Sequence, residues 1–161
     1  MKEDLDEILR SAASAVLTTM LNFQVEFGKP DEAFFGAEQH IAGAVGLTGS
    51  YNGIIYLYSS AQFARKITCS LLSMNDNEIE GDEMVNDAVG ELTNMVGGSI
   101  KSKLDNTNQP CTMTIPSVVR GADFQIEPVT GVQKHSVFCH CDGGKILVEA
   151  MIKSTDAEES K

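Results

Sequence analysis

The sequence predicts an α+β fold, a largely antiparallel sheet with about three helices packed on it. Three observations lead there. Helical periodicity occurs in three separate stretches, near residues 5–21, 60–72 and 82–104. Strand-like stretches come in consecutive runs rather than singly between helices. Short turns rich in Gly, Asn and Asp join members of those runs, as hairpins require.

The first helix is read from Leu5, Ile8, Leu9, Ala12, Ala15, Val16 and Met20, which recur at three- and four-residue steps. Next, Phe23, Val25 and Phe27 alternate with polar residues, and Gly28 and Pro30 close the strand. Residues 31–40 read as a loop. Residues 41–47 and 53–58 form the arms of a hairpin, with Asn52-Gly53 as its turn, because both residues tolerate positive φ. Ser59 or Ser60 can cap the second helix, which runs to about Leu72. The polar stretch SMNDNEIEGD connects it to the third helix, over about 82–104.

DNTNQP ends that helix, since Pro110 cannot continue it. TIPSVVRGADF is extended, and Pro116 marks it as an edge or irregular strand. Two strands follow, about 134–141 and 145–153, joined at Asp142-Gly143-Gly144. The chain of 161 residues fits one domain, over 1–153, with a frayed tail over 154–161. Hydrophobic residues reach 42% without a single tryptophan, so Leu, Ile, Val, Met and Phe must fill the core. The methionines are scattered and read as core filling.

A formal net charge of −11 disfavours nucleic acid and anionic membrane surfaces, both of which ask for a basic face. No apolar run approaches the ~18 residues of a spanning helix. The acidic start, MKEDLDEILR, lacks the pattern of a signal peptide. The expectation is a cytoplasmic protein whose Cys69, Cys111, Cys139 and Cys141 are thiols.

The third helix carries the strongest functional signal. On a wheel of ~100° per residue, Asp87, Glu91 and Asn94 fall within about 60° of one another. Gly98 and Lys101 continue the stripe, while Val85, Val89, Leu92 and Val96 lie opposite. A solvated face is the plain explanation for a polar stripe. The composition argues for more. Gly90, Gly97 and Gly98 together cost the helix roughly 2–3 kcal/mol against alanine. Gly98 leaves no side chain to block an approaching surface. An asparagine amide donates and accepts, so it can orient a water without taking its proton. Glu91, one turn earlier, can anchor a partner's cation. Docking against another protein and positioning of water follow from these residue types.

Asp87-x-x-x-Glu91-x-x-Asn94 resembles the signature of the CheC/CheX/FliY phosphatases of bacterial chemotaxis, and that of the CheX type in particular. The similarity extends over about 8–152: AVLTTMLNFQVEFGKP resembles the family's first helix and strand, IAGAVGLTGSYNGIIYLY its central hairpin, and IPSVVRG its post-helix segment. CheC-type members carry a second Glu-x-x-Asn site near the chain start. Glu3 and Glu7 here lack the asparagine, which fits the single-site CheX type, and Ser99 stands where relatives often have Asn.

The resemblance implies hydrolysis of the aspartyl phosphate of a CheY-like response regulator. Asn94 would hold the attacking water, and Glu91 would pair with the regulator's active-site lysine. Asp87, Gly98 and Lys101 would contribute to partner binding. It implies Mg2+ on the regulator, no cofactor or metal of this chain's own, and a homodimer. The alternative is a non-catalytic module that binds a phosphorylated regulator or a flagellar-switch component.

Other motifs carry less. His135, Cys139 and Cys141 share one strand face while His140 points away; three ligands without a ligand-pair spacing elsewhere read as buried thiols rather than zinc. The glycines from Gly46 to Gly53 lack the Gly-Lys-Ser/Thr ending of a phosphate loop and lead into a strand. His40 reads as an incidental loop residue.

Overall fold

The computed structural model describes residues 4–31 and 33–155. The elements are α1 (Leu5–Leu21), β1 (Val25–Gly28), β2 (Gln39–Gly49), β3 (Tyr51–Ser60), α2 (Ala61–Leu72), a single 3-10 turn (Asp76–Glu78), α3 (Asp82–Asn106), β4 (Cys111–Met113), β5 (Ser117–Ala122), β6 (Gln133–Cys141) and β7 (Gly144–Ser154). The seven strands form one antiparallel sheet in the order β1-β6-β7-β3-β2-β4, with β5 also pairing to β2. The α+β class therefore stands, with the helices on one face of the sheet.

Alternation along the strands decides which face is which. Ile41, Val45 and Leu47 of β2, Ile55 and Leu57 of β3, Val137 and Cys139 of β6, and Ile146, Val148 and Ala150 of β7 point to the helices, in one continuous core. Ala42, Tyr58 and Leu147 point the other way, under Phe34 and Phe35 of the 33–36 loop. α1 is capped at both ends: Asp4 accepts from the Asp6 amide, and Asn22 closes the C-terminus in the left-handed conformation. Ser60 caps α2 by accepting from the Phe63 amide. α3 starts at Gly81 without a side-chain cap, and Asp82 and Glu83 place negative charge on its N-terminal turn.

Three local expectations need correction. Asn52-Gly53 is not the hairpin turn. Leu47 pairs with Gly53, so the reversal centres on Ser50, and Asn52 braces it by accepting from the Gly49 amide at 3.3 Å. Gly49 and Gly53 do both have positive φ (134° and 153°), and a Cβ on Gly53 would sit 2.1 Å from the Met151 carbonyl oxygen. The glycine signal thus belongs to close approach of β7. His40 lies in β2, buried, not in a loop. Of the tail expected over 154–161, Ser154 pairs with Tyr51 in the sheet and the Thr155 amide donates to Ser50. Residues 156–161, like Glu3, lie outside the described residues.

Pro116 falls between β4 and β5, where the expected irregularity occurs. Both short strands share the outer edge of β2. Thr114 carries the ladder across the break: its amide donates to Gly46 O at 3.0 Å, and its hydroxyl accepts from the Gly46 amide at 2.8 Å.

Candidate functional site

The position of the candidate stripe is decided by the opposite side of α3. Val85, Val89, Leu92, Val96 and Ile100 are all buried, as the wheel requires. Between them, small residues set the approach to β2. Thr93 is fully buried and donates its hydroxyl to Val89 O at 2.7 Å. It faces Gly43, where a Cβ would lie 1.9 Å from the Thr93 hydroxyl oxygen. One turn on, a Cβ on Gly97 would meet Val45 Cγ2 at 2.8 Å and Met113 Sδ at 3.1 Å. Gly43 and Val45 are two apart on one strand face, and Thr93 and Gly97 are four apart on one helix face. This double fit fixes both the height and the roll of the helix on the sheet. Arg120 of β5 adds a third fastening, donating from Nε to Asn86 Oδ1 near the helix start.

With the roll fixed, Asp87 and Glu91 are exposed and Asn94 and Gly98 half-buried, all on the outward side of α3. Among the described residues, the side chains of Asp87, Glu91 and Asn94 form no hydrogen bond or ion pair with the rest of the chain. Their donors and acceptors face solvent ready for a visitor. A Cβ at Gly98 would meet nothing within 4 Å, so this glycine answers no packing demand inside the molecule. Gly90 would accept a methyl at 3.6 Å from Val118; only Gly97 of the three is required by internal sterics.

Lys101 is differently engaged. Its Nζ donates to Asp105 Oδ2 at 2.6 Å, and Asp105 also accepts from the Cys111 amide. The Lys101 bond, then that amide, hold the Asp105 carboxyl below its usual range. Lys101 thus stands at the end of the stripe as part of the junction between α3 and β4.

A groove opens beside the stripe. It has a volume of about 480 Å3 and is lined by Met20, Leu71, Leu72, Met84, Ala88 and Met95, with Asp87 and Glu91 on one wall. Met20 and Leu72 are 44% and 45% exposed. These methionines do not simply fill the core, contrary to the expectation. The signal in the sequence was faint: Met20 sits at the very end of its helix, where a periodic pattern no longer separates inside from outside.

The cysteine-histidine stretch is built into the core. Cys139 and Cys141 are buried, which pushes their thiols up to about 12 and about 11. His135 donates from Nδ1 to Asp6 of α1 at 3.0 Å. Among the described residues, no three His, Cys, Asp or Glu side chains converge as a metal site.

The family model described as chemotaxis phosphatase CheX matches residues 41–140, which span the hairpin, α3 and most of β6. The CheY-P phosphatase CheX of Thermotoga maritima is 30% identical over 110 residues, covering 67% of this chain and 70% of that relative. A CheX–CheY–BeF3–Mg2+ complex from Borrelia burgdorferi has a TM-score of 0.78 at 27% identity, covering 95% of this chain and all of that one. A chemotaxis protein CheX from Desulfovibrio desulfuricans gives 0.78 at 25% identity, covering 92% and 99%.

Proposed function

As a member of the CheX family of chemotaxis phosphatases, the chain carries Asp87, Glu91 and Asn94 unpartnered on the outward side of α3, and we propose that it hydrolyses the aspartyl phosphate of a CheY-like response regulator. The observation that supports this is the free pair Glu91 and Asn94, three residues apart on α3, with the roll of the helix set by Gly43 and Gly97.

An aspartyl phosphate is an activated acyl phosphate, whose carboxylate leaves readily. The difficulty is to hold one water in line with the bond that breaks. Asn94 does this: its amide accepts one hydrogen of the water and leaves the lone pair aimed at phosphorus. The water oxygen bonds to phosphorus, the bond from phosphorus to the aspartyl oxygen breaks, and inorganic phosphate departs as H2PO4−, with the water's oxygen and both of its hydrogens. The regulator's aspartate is restored as a carboxylate. Glu91 pairs with the lysine of the regulator's active site and so fixes α3 over the phosphoryl group. Asp87 reinforces the negative side of the contact, Gly98 lets the regulator's backbone come close, and Lys101 forms the rim.

Mg2+ enters with the regulator, where it offsets phosphoryl charge. That ion is in keeping with the Borrelia complex, which contains CheY, BeF3 and Mg2+. The working form is a homodimer in the cytoplasm, and no described helix is long and apolar enough to cross a membrane.

The test is phosphate release from a purified, phosphorylated CheY-type regulator of the same organism, timed with and without the protein. Acceleration that disappears in Asn94→Ala, with regulator binding retained, supports catalysis. Binding without acceleration by the unaltered protein would assign the non-catalytic module instead.

A further inference from the structure

We infer that the groove between the ends of α1 and α2 and the first half of α3 is the docking cleft for a large apolar side chain of the regulator, one that lies beside the cation engaged by Glu91. This rests on the reading of Glu91 and Asn94 given above and adds to it a determinant of which regulator is served.

The groove and the candidate site share a wall. Asp87 and Glu91 line both, so a protein that brings a cation to Glu91 and a phosphoryl group to Asn94 also covers the groove. The remaining lining is Met20, Leu71, Leu72, Met84, Ala88 and Met95, apolar without exception. Two carboxylates over an apolar floor complement a surface that pairs a cation with an apolar side chain. The same carboxylates, within a chain of net charge −11, repel an anionic lipid surface or a nucleic acid. Methionines suit the role because their unbranched side chains adapt to the shape presented. Met20 and Leu72 remain nearly half exposed, although their chain neighbours Leu21 and Leu71 pack in or against the core.

Residues from three helices build this cleft, so its shape reads out the packing of the whole helical layer. A regulator with a polar residue at the matching position leaves Met20 and Leu72 uncovered and forfeits that part of the contact. Discrimination among related regulators then arises beside the chemistry, in residues that touch no reacting atom.

The experiment uses the full chain and the CheY-type regulator whose phosphate release it accelerates most, charged with beryllofluoride and Mg2+ for binding and with phosphate for turnover. The double variant Met20→Ala with Leu72→Ala is expected to raise Kd and KM about tenfold, with kcat changed less than twofold. Restoring apolar volume with Met20→Leu and Leu72→Met returns both constants to within about threefold of the unaltered protein. If the double variant folds poorly, Met20→Ala alone carries the test, with an expected rise in Kd of about threefold. A Kd unchanged within twofold overturns the cleft while leaving Glu91 and Asn94 standing, provided Asn94→Ala still abolishes release. A fall in kcat at constant Kd overturns it too. So does loss of self-association, seen by sedimentation, with no change in regulator affinity, since that assigns the groove to a second copy. If the unaltered protein accelerates no regulator, the site reading and the cleft fall together.

Discussion

α1 and α3 lie side by side on the same sheet and bury comparable apolar faces, yet their outward sides differ in kind. On α1 several of the polar side chains are used at home. Arg10 donates to Glu7, and the Thr19 hydroxyl donates to Ala15 O. The helix contains no glycine and is capped at both ends. On α3 the corresponding side carries Asp87, Glu91 and Asn94 with no internal partner, and Gly98 opens a gap in the surface. One helix covers the core; the other covers the core and also leaves a polar set unpartnered on its outward side. Local stability was given up only on the second, which is why the proposed contact is assigned to that helix.

The sharpest way to break this contrast is to remove the amide. Asn94→Ala should lower kcat by on the order of 100-fold, since positioning of water is the step proposed for it. The half-exposed position should leave stability within about 0.5 kcal/mol. Adding Ser11→Glu and Ser14→Asn to that variant places the same pair at the same spacing on α1. No rescue is expected, because positions 11 and 14 do not line the groove and α1 has no glycine beside them. Single-turnover phosphate release compares the three proteins; rescue from α1 would show that the pair acts without its surroundings.

Glu91→Ala comes next in size. Its proposed role is to hold a cation, so KM should rise about tenfold while kcat at saturating regulator falls only a few-fold. Glu91→Gln should behave like the alanine variant, because charge rather than hydrogen bonding carries the contact. A glutamine with full affinity would count against the ion pair.

A third variant acts on the buried side of the contrast. Gly43→Ala drives a methyl into Thr93 and should destabilise the fold by about 1–3 kcal/mol, read from urea unfolding. Thr93→Ala relieves part of this, since the two Cβ positions are still only 2.9 Å apart. Because Thr93 neighbours Asn94, the strain should also reduce phosphate release in the fraction that remains folded.

Much of this was legible in the sequence. The 3.6-residue period of α3 separated Val85, Val89, Leu92 and Val96 from Asp87, Glu91 and Asn94, and the structure puts the first set inside and the second outside. Hairpin runs gave the antiparallel sheet. Contacts between distant elements were not legible. Gly43 reads as an ordinary strand glycine until Thr93 is brought against it, and Gly53 reads as a turn because its tight approach to Met151 on β7 is nearly 100 residues away in the chain. Met20 and Leu72 reveal a groove only after three helix ends have met.

Gly98 yields the smallest effect and the most discriminating one. Alanine there meets nothing within 4 Å and replaces a poor helix former with the best. Gly98→Ala should therefore raise stability by up to about 1 kcal/mol, or about 2–4 °C in Tm for a chain of this size. Were the stripe only a solvated face, nothing would oppose the change, and phosphate release would follow the unaltered protein. If a regulator's backbone has to come close at this point, the added methyl holds it off, and KM should rise a few-fold in a protein that is the more stable of the two. Opposite signs in stability and affinity at one exposed position have no explanation within the isolated chain; they require a second surface pressed against Gly98.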